Sequence, residues 1–230
     1  AEQAGAAGTK MAGAGGAAAY NALHRNKKSV GINLKDPEAR EIFYRLVREA
    51  DILVEEMRPG VAQRLGIDYD TLKEMNPRLI YCAVTGYGQT GPYAKLAGHD
   101  LNYIAQAGAL GLIGDTDGNP VIPQNLIADY AGGGMHGAVG VLTALFAREK
   151  TGRGQFVDIA MMDGSMYLIV QFLSAYYGNG EIPQRGKSFA GGGLPYYNVY
   201  ETRDGKHITL GSIEPWFFAN LCRAVDREDL

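Results

Sequence analysis

Hydrophobic positions along the chain alternate between two kinds of pattern. Short apolar runs at residues 29–34, 51–57 and 79–85 predict strands, and the apolar residues between them recur at helical spacing. A strand–helix–strand order favours parallel pairing, because a parallel connection needs a crossover of about a dozen residues or more. The first part of the chain therefore predicts two βαβ units of a doubly wound, Rossmann-like α/β sheet.

The middle of the chain has a mostly helical pattern. Helices are predicted at residues 100–110, 129–150 and 161–177, with a short strand at 156–160 before the last of them. Because helices and strands still alternate here, these segments extend the α/β region to about residue 180.

The C-terminal part has the alternation of a β-hairpin. Two alternating segments, residues 196–202 and 206–210, flank Arg203-Asp204-Gly205, whose residue types favour a tight turn. A helix is predicted to start at Glu214. The change from a parallel pattern to a hairpin therefore predicts a second, smaller α+β region.

These patterns predict three parts of the chain. Residues 1–180 form a large Rossmann-like domain, residues 181–193 a glycine-containing linker, and residues 194–230 the start of a small α+β domain. Residues 1–20 are predicted to be mobile, because 14 of the first 19 residues are Ala or Gly. The pattern stops abruptly at each end, which predicts a fold truncated at both ends.

Charge and cysteine usage narrow the classes of function. The formal net charge is −3, and the 22 basic and 25 acidic residues are interspersed, so no nucleic-acid partner is predicted. Two cysteines cannot form a disulfide framework or a structural zinc site, which is typical of a reducing compartment. No apolar run approaches the roughly 20 residues of a membrane span. We expect a cytoplasmic protein.

Four histidines are candidates for chemistry, and none has a partner at metal-ligand spacing, so no metal site is predicted. His24 lies in a basic cluster, His136 inside a predicted helix and His207 at the start of a hairpin strand, and all three fit structural roles. His99 stands at the predicted start of a helix, beside backbone N–H donors, where a neutral imidazole can act as a base. A structural role for His99 is the alternative.

Three carboxylates stand at predicted helix starts, namely Asp129, Asp163 and Glu214, and each fits a simple helix cap. Asp129 is followed by the glycines 132–134, which cost a helix roughly 1 kcal/mol each relative to Ala. We therefore expect another group to approach that backbone closely. Together these residues predict a cleft between two regions, lined by His99 and up to three carboxylates, without indicating its substrate.

Several motifs resemble one enzyme family. Residues 98–103 (GHDLNY), 125–134 (NLIADYAGGG) and 211–217 (GSIEPWF) are similar to those of the α-methylacyl-CoA racemases. Three further motifs are shared more widely by the family III CoA-transferases, to which the racemases belong: residues 58–61, 86–92 and 151–155. The resemblance runs from about residue 24 to the end and implies the family III CoA-transferase fold.

The resemblance implies racemisation or epimerisation of 2-methylacyl-CoA thioesters by 1,1-proton transfer through an enolate, with no metal or organic cofactor. By position, His99 and Asp129 match the acid–base pair on opposite faces of the reacting carbon, and Glu214 matches the carboxylate that orients the histidine. The residues that match CoA-ester or substrate contacts are Ile32, Asn33, Leu34, Lys35, Arg58, Arg64, Gly98, Asp100, Leu101, Asn102 and Tyr103. An acyl-CoA partner and an interlocked homodimer with shared active sites are also implied.

Two other functions fit the same residues. In a family III CoA-transferase, Asp129 would be the nucleophile that attacks the thioester carbonyl and carries the acyl group as a mixed anhydride. His99 and the stretch 211–215 resemble racemase features and favour the racemase. A non-catalytic acyl-CoA binder, or an inactive fragment, is the third hypothesis.

Overall fold

The protein is described by a computed structural model that covers residues 23–230. The mobility predicted for residues 1–20 lies outside this range. The chain divides into two compact units, with the boundary between Phe43 and Tyr44. Both sheets, and every predicted site residue from Arg58 onward, belong to the second unit.

In chain order the elements are α1 (Pro37–Glu49), β1 (Ile52–Glu55), α2 (Val61–Leu65), α3 (Tyr69–Met75), β2 (Ile80–Thr85), α4 (Asp100–Gln106), a 3₁₀ turn (Ala109–Leu112), a π-helix (Leu126–Met135), α5 (His136–Thr151), β3 (Phe156–Ala160), α6 (Met161–Leu168), α7 (Val170–Asn179), a second 3₁₀ turn (Phe189–Gly191), β4 (Tyr197–Glu201), β5 (His207–Gly211) and α8 (Pro215–Ala224).

The main sheet has three parallel strands in the order β1–β2–β3. Leu53 of β1 lies opposite Tyr81 of β2, which in turn lies opposite Phe156 of β3. The central strand is buried from residue 80 to residue 83, as expected for a parallel strand that is covered on both faces. The predicted parallel α/β sheet with helices is therefore confirmed.

Strands β4 and β5 form a separate antiparallel pair, in which Val199 lies opposite Thr209. The Thr202 N–H donates to the Lys206 carbonyl at 2.8 Å and closes the turn. The predicted hairpin is therefore confirmed. The domain boundaries at residues 180 and 193 stay a prediction.

Three predicted elements differ from the structure. Residues 29–34 form no strand, because no described strand pairs with them and a lone strand is not stable. The helix predicted over 161–177 is interrupted at Ile169, whose φ of −108° and ψ of 18° separate α6 from α7. The helix predicted to begin at Asp129 begins at Leu126 instead, and its first 10 residues form a π-helix.

A buried arginine fixes the amino-terminal edge of the main sheet. Arg148 of α5 donates through Nη2 to the Asp51 carboxylate at 2.8 Å and through Nη1 to the Arg78 carbonyl at 3.0 Å. These bonds join α5 to the loops before β1 and β2, so the helix holds one side of the sheet in register. Within residues 23–230, no helix is long and apolar enough to cross a bilayer.

Candidate active site

A cleft of about 1030 Å³ lies where β1 and β2 end. In parallel α/β sheets ligands bind outside the carboxyl ends of the strands, because loops and helix starts converge there. The cleft is lined by Val54, Glu55, Glu56, Met57, Arg58, Pro59, Val84, Thr85, Gly86, Tyr87, Ala94, Leu96, Ala97, Gly98, His99, Asn102, Tyr103, Asp129, Gly134 and Met161. His99 and Asp129, which were predicted as a pair from the sequence, are thus brought to the same cleft.

His99 is the N-cap residue of α4, as its position before the helical pattern predicted. Its backbone N–H donates to Asn102 Oδ1 at 3.0 Å, and its carbonyl accepts the N–H of Asn102 at 2.8 Å. These reciprocal bonds fix the backbone at the helix start. The His99 side chain is exposed on the cleft, where it can meet a ligand.

Asp129 lies inside the π-helix rather than capping it. Its Oδ2 accepts a hydrogen bond from Asn125 Nδ2 at 3.1 Å. The sequence analysis did not single out Asn125, although its position four residues before Asp129 is one at which helical side chains meet. Asn125 therefore orients the carboxylate that faces the cleft.

The glycines after Asp129 allow two helices to touch. A Cβ at Gly132 would lie 2.8 Å from the Met161 carbonyl oxygen and 3.0 Å from the Ser165 amide nitrogen, both in the backbone of α6. The predicted close approach to this backbone is confirmed, and the approaching group is a helix of the same chain. Gly134, by contrast, lines the cleft.

Tyr103 forms a wall of the cleft. Its hydroxyl donates to the Gly98 carbonyl at 2.5 Å, and a Cβ at Gly86 or Gly98 would overlap its ring. Burial raises the pKa of Tyr103 above its ordinary value, and the nearby Tyr87 and Asp129 raise it further. With its hydroxyl already bonded, Tyr103 shapes the cleft as a neutral aromatic surface.

Glu55 is a cleft carboxyl that the sequence analysis did not identify. Burial raises the pKa of Glu55 above its ordinary value, while the Met57 N–H, which donates to Oε2 at 2.6 Å, lowers it. Its place at the last residue of β1 could have indicated it, since strand ends point into such clefts.

The other predicted contacts are divided between the cleft and its surroundings. Arg58, Gly98, Asn102 and Tyr103 line the cleft together with the acid–base candidates. Asp100 is buried beneath it, and Leu101, Arg64 and Glu214 are outside its lining. Ile32, Asn33, Leu34 and Lys35 lie in the first unit, and their contact with a CoA ester stays a prediction.

The remaining candidates, Glu214, Asp163 and His136, lie outside the cleft lining. Glu214 is the N-cap residue of α8, although its side chain makes no capping hydrogen bond. Asp163 is in the first turn of α6, and Ala160 holds the cap position predicted for it. His136 Nδ1 bonds to the Ala131 carbonyl at 3.2 Å, and the ring packs edge-on against Tyr167. In the described part of the chain, no three His, Cys, Asp or Glu residues are grouped to hold a metal ion.

Comparison with known proteins agrees with this architecture. The model of CoA-transferase family III matches residues 4–230. Alpha-methylacyl-CoA racemase from Homo sapiens is 41% identical over 208 residues, which are 88% of this chain and 53% of the relative. Succinyl-CoA:glutarate CoA-transferase from Homo sapiens is 33% identical over 211 residues, which are 92% of this chain and 48% of the relative.

A solved structure confirms the predicted fold class. The crystal structure of a CAIB/BAIF family protein from Brucella suis is similar with a TM-score of 0.76 at 32% identity, over 89% of this chain and 53% of that one. The chain thus spans about half the length of the relatives it matches. From the family match and these relatives together, the chain belongs to CoA-transferase family III.

Proposed function

We propose that the protein interconverts the enantiomers of 2-methylacyl-CoA thioesters by moving the α-proton from one face of the carbon to the other. The observation that carries this proposal is the presence of His99 and Asp129, on separate elements, in one cleft. A 1,1-proton transfer needs two such groups, one for each face. Relatives that are 41% and 40% identical carry the name Alpha-methylacyl-CoA racemase, which supports the same proposal.

The proton steps follow from ordinary acid–base chemistry. One of the two side chains removes the α-proton, and the electron pair of the broken C–H bond moves into the thioester carbonyl to form an enolate. The other side chain then delivers a proton to the opposite face, and the carbonyl re-forms with the configuration inverted. Both carriers are side chains of this chain, so the proposed reaction uses no metal or organic cofactor.

The dimensions of the cleft suit a thioester substrate. Its volume of about 1030 Å³ is just above the roughly 300–1,000 Å³ that is usual for ligand pockets. Arg58 adds a cation to a lining that also contains Tyr87, Tyr103 and Met161. A charged, elongated ester with an apolar acyl end fits such a mixed surface. We propose that the protein binds an acyl-CoA substrate and forms a homodimer.

A CoA-transferase activity is the second candidate, because several relatives carry that name, among them the one at 33% identity. In that reaction an Asp129 oxygen attacks the thioester carbonyl, the C–S bond breaks, and CoA leaves as a thiolate while a mixed anhydride remains. The CoA thiolate then attacks the Asp129 carbonyl carbon, which releases the first acyl group as a carboxylate and leaves Asp129 as a CoA thioester. The added carboxylate displaces CoA from that thioester to form a second mixed anhydride, and CoA attacks its other carbonyl, which gives the new acyl-CoA and frees Asp129. This reaction needs Asp129 and has no place for a second proton carrier such as His99.

Proton exchange in deuterated water distinguishes the two reactions. A single-enantiomer 2-methylacyl-CoA should take up deuterium at the α-carbon and invert, and His99→Ala and Asp129→Asn should each slow inversion by about 10²–10⁴-fold. Asp70→Asn is the matched control, because Asp70 is an exposed carboxylate on α3 outside the cleft lining. CoA transfer to an added acid that needs Asp129 but not His99 would replace the racemase by the transferase. Binding of the ester without either reaction would leave a binding protein.

A further inference from the structure

Asp100 is the one buried carboxyl among the described residues, with 5% of its surface exposed. Its Oδ2 accepts two backbone hydrogen bonds, from the Ala128 N–H at 2.7 Å and from the Asp129 N–H at 3.0 Å. Asp100 is the first residue of α4, whereas its two partners lie in the π-helix. One carboxylate therefore joins the starts of two helices that are far apart in sequence.

These two bonds connect the backbone of one proposed proton carrier to the residue that follows the other. Asp100 follows His99 directly in the chain, and it holds the peptide N–H of Asp129 itself. The first N–H groups of a helix have no partner within the helix, so an acceptor from outside decides where that helix begins. Asp100 thus sets the start of the π-helix against the start of α4, and with it the spacing between His99 and Asp129.

The burial of Asp100 lowers stability, because its second oxygen lacks a hydrogen bond. Asp100 Oδ1 is buried and has no hydrogen-bond partner within residues 23–230. A buried polar atom without a partner lowers stability, and native structures keep few of them. Such a group is expected where the position of the amides it holds matters for function.

We propose that Asp100 is a positioning residue, whose buried carboxylate holds the Ala128 and Asp129 amides and so places the Asp129 side chain opposite His99. This inference rests on the proposed function, because it assigns a purpose to the spacing of the two proton carriers. The Asp100 carboxylate is buried and Asp100 is outside the cleft lining, so we assign its side chain an effect through these amides rather than on the reacting atoms.

Two substitutions at Asp100 separate the hydrogen bonds from the charge. Asp100→Ala removes the acceptor, and a misplacement of a reacting group by about 1 Å lowers turnover by about 10²-fold, so we expect kcat to fall by that factor. KM should stay within about threefold, since Arg58 and Tyr103 of the cleft are unchanged. Asp100→Asn keeps an oxygen that can accept both N–H bonds, and its kcat should stay within about threefold of the wild type.

Deuterium uptake at the α-carbon, measured for each enantiomer, distinguishes a misplaced Asp129 from a general loss of structure. In Asp100→Ala, His99 keeps its own bonds to Asn102, so its side of the cleft stays intact. With the two enantiomers tested separately in deuterated water, one should still take up deuterium with retention of configuration, whereas the other should lose exchange. Inversion should be lost from both.

The matched control is Asp68→Ala, which removes the carboxylate that caps α3 by accepting the Thr71 N–H at 3.2 Å. It should lower the melting temperature and leave kcat unchanged. Wild-type kcat in Asp100→Ala would overturn the inference, as would equal loss of exchange from both enantiomers, or an Asp100→Asn as slow as Asp100→Ala. If the wild type itself neither exchanges nor inverts, the proposed function fails, and the inference fails with it.

Discussion

The two regions that carry the predicted catalytic residues differ in how many buried residues they contain. Around the main sheet, residues such as Leu72, Ile80 and Ile104 are fully buried. Ile104 of α4 and Ala128 of the π-helix, the two elements that hold His99 and Asp129, belong to one buried cluster. In the region from residue 194 to residue 230, Cys222 is the one buried apolar residue among those described. Large side chains there are exposed, with Trp216 at 63% and Phe217 at 50%.

This difference shows where the geometry of the site comes from. The backbone of His99 and that of Asp129 are each held by a hydrogen bond to a side chain, and the π-helix also packs against α6. Glu214 begins α8 beside exposed aromatic residues, without a capping bond and outside the cleft lining. The backbone of the proposed acid–base pair is therefore held by well-packed elements, whereas the proposed orienting role of Glu214 has no such support in the described residues.

The largest effect on stability is expected at the contact between α6 and the π-helix that contains Asp129. In Gly164→Ala, the new Cβ would overlap the backbone carbonyl of Gly132 in the π-helix. No flexible side chain is involved, so the overlap cannot be relieved by a change of rotamer. The helices must move apart, so we expect a loss of about 1–3 kcal/mol in the free energy of unfolding, with a fall in turnover. Urea denaturation at equilibrium measures the free energy of unfolding, and deuterium uptake at the α-carbon of the substrate measures turnover.

Gly178→Ala is the matched control for that substitution. Gly178 also lies in a helix, α7, and a Cβ there would meet nothing within 4 Å. The same change should stabilise the protein by roughly 0.5–1 kcal/mol, because alanine loses less conformational entropy in a helix than glycine. Equal stability of the two variants would show that the contact of Gly132 with Gly164 does not hold the π-helix in place.

Much of the fold could be predicted because its signals are local. The strand at Phe156–Ala160 and the hairpin around Arg203-Asp204-Gly205 follow from patterns within about ten residues. The predicted strand at 29–34 is wrong for the opposite reason, since strand formation depends on a partner that no local pattern reveals.

The site could be predicted less completely than the fold. His99 and Asp129 were identified through the resemblance of their motifs, while the cleft that unites them depends on long-range packing. The π-helix depends on contacts across the chain, from Asp100 and from α6, that helical periodicity does not encode. For the same reason the bonds of Asp100 to the π-helix were not foreseen, while its contact with a substrate stays a prediction.

A smaller effect on inversion is expected from Glu214→Gln, which tests the region from residue 194 to residue 230. If Glu214 orients His99, removing its charge cannot cost more than removing His99 itself. With no capping bond to lose, stability should stay within ±0.5 kcal/mol. We expect inversion to slow by about tenfold or less, which corresponds to about 1.4 kcal/mol. Single-turnover inversion of each enantiomer measures this, and a loss as large as that of His99→Ala would place Glu214 among the proton carriers.

The smallest effect is expected in the pH dependence of stability, for which each region provides one carboxylate. Partial desolvation raises the pKa of Asp158 in β3 above 3.8, and the nearby Asp163 raises it further, against the lowering effect of the Gln89 N–H. Asp204 in the hairpin turn is the opposite case, because the Thr202 hydroxyl, at 2.6 Å, and the Lys206 ammonium, at 2.9 Å, lower its pKa below 3.8. The two groups therefore contribute to stability with opposite signs.

For Asp158 the folded protein binds the proton more tightly than the unfolded chain does, so its contribution to stability falls as the pH rises from 3.8 through its raised pKa. Asp158→Asn removes that loss and should be more stable than the wild type at neutral pH. For Asp204 the contribution is present above 3.8 and is lost as the pH falls through its lowered pKa, so Asp204→Asn should be less stable at neutral pH. Urea denaturation between about pH 3 and pH 7 measures both differences. Equal signs for the two variants would contradict the contrast between a partly desolvated carboxylate of the sheet and a paired one of the hairpin.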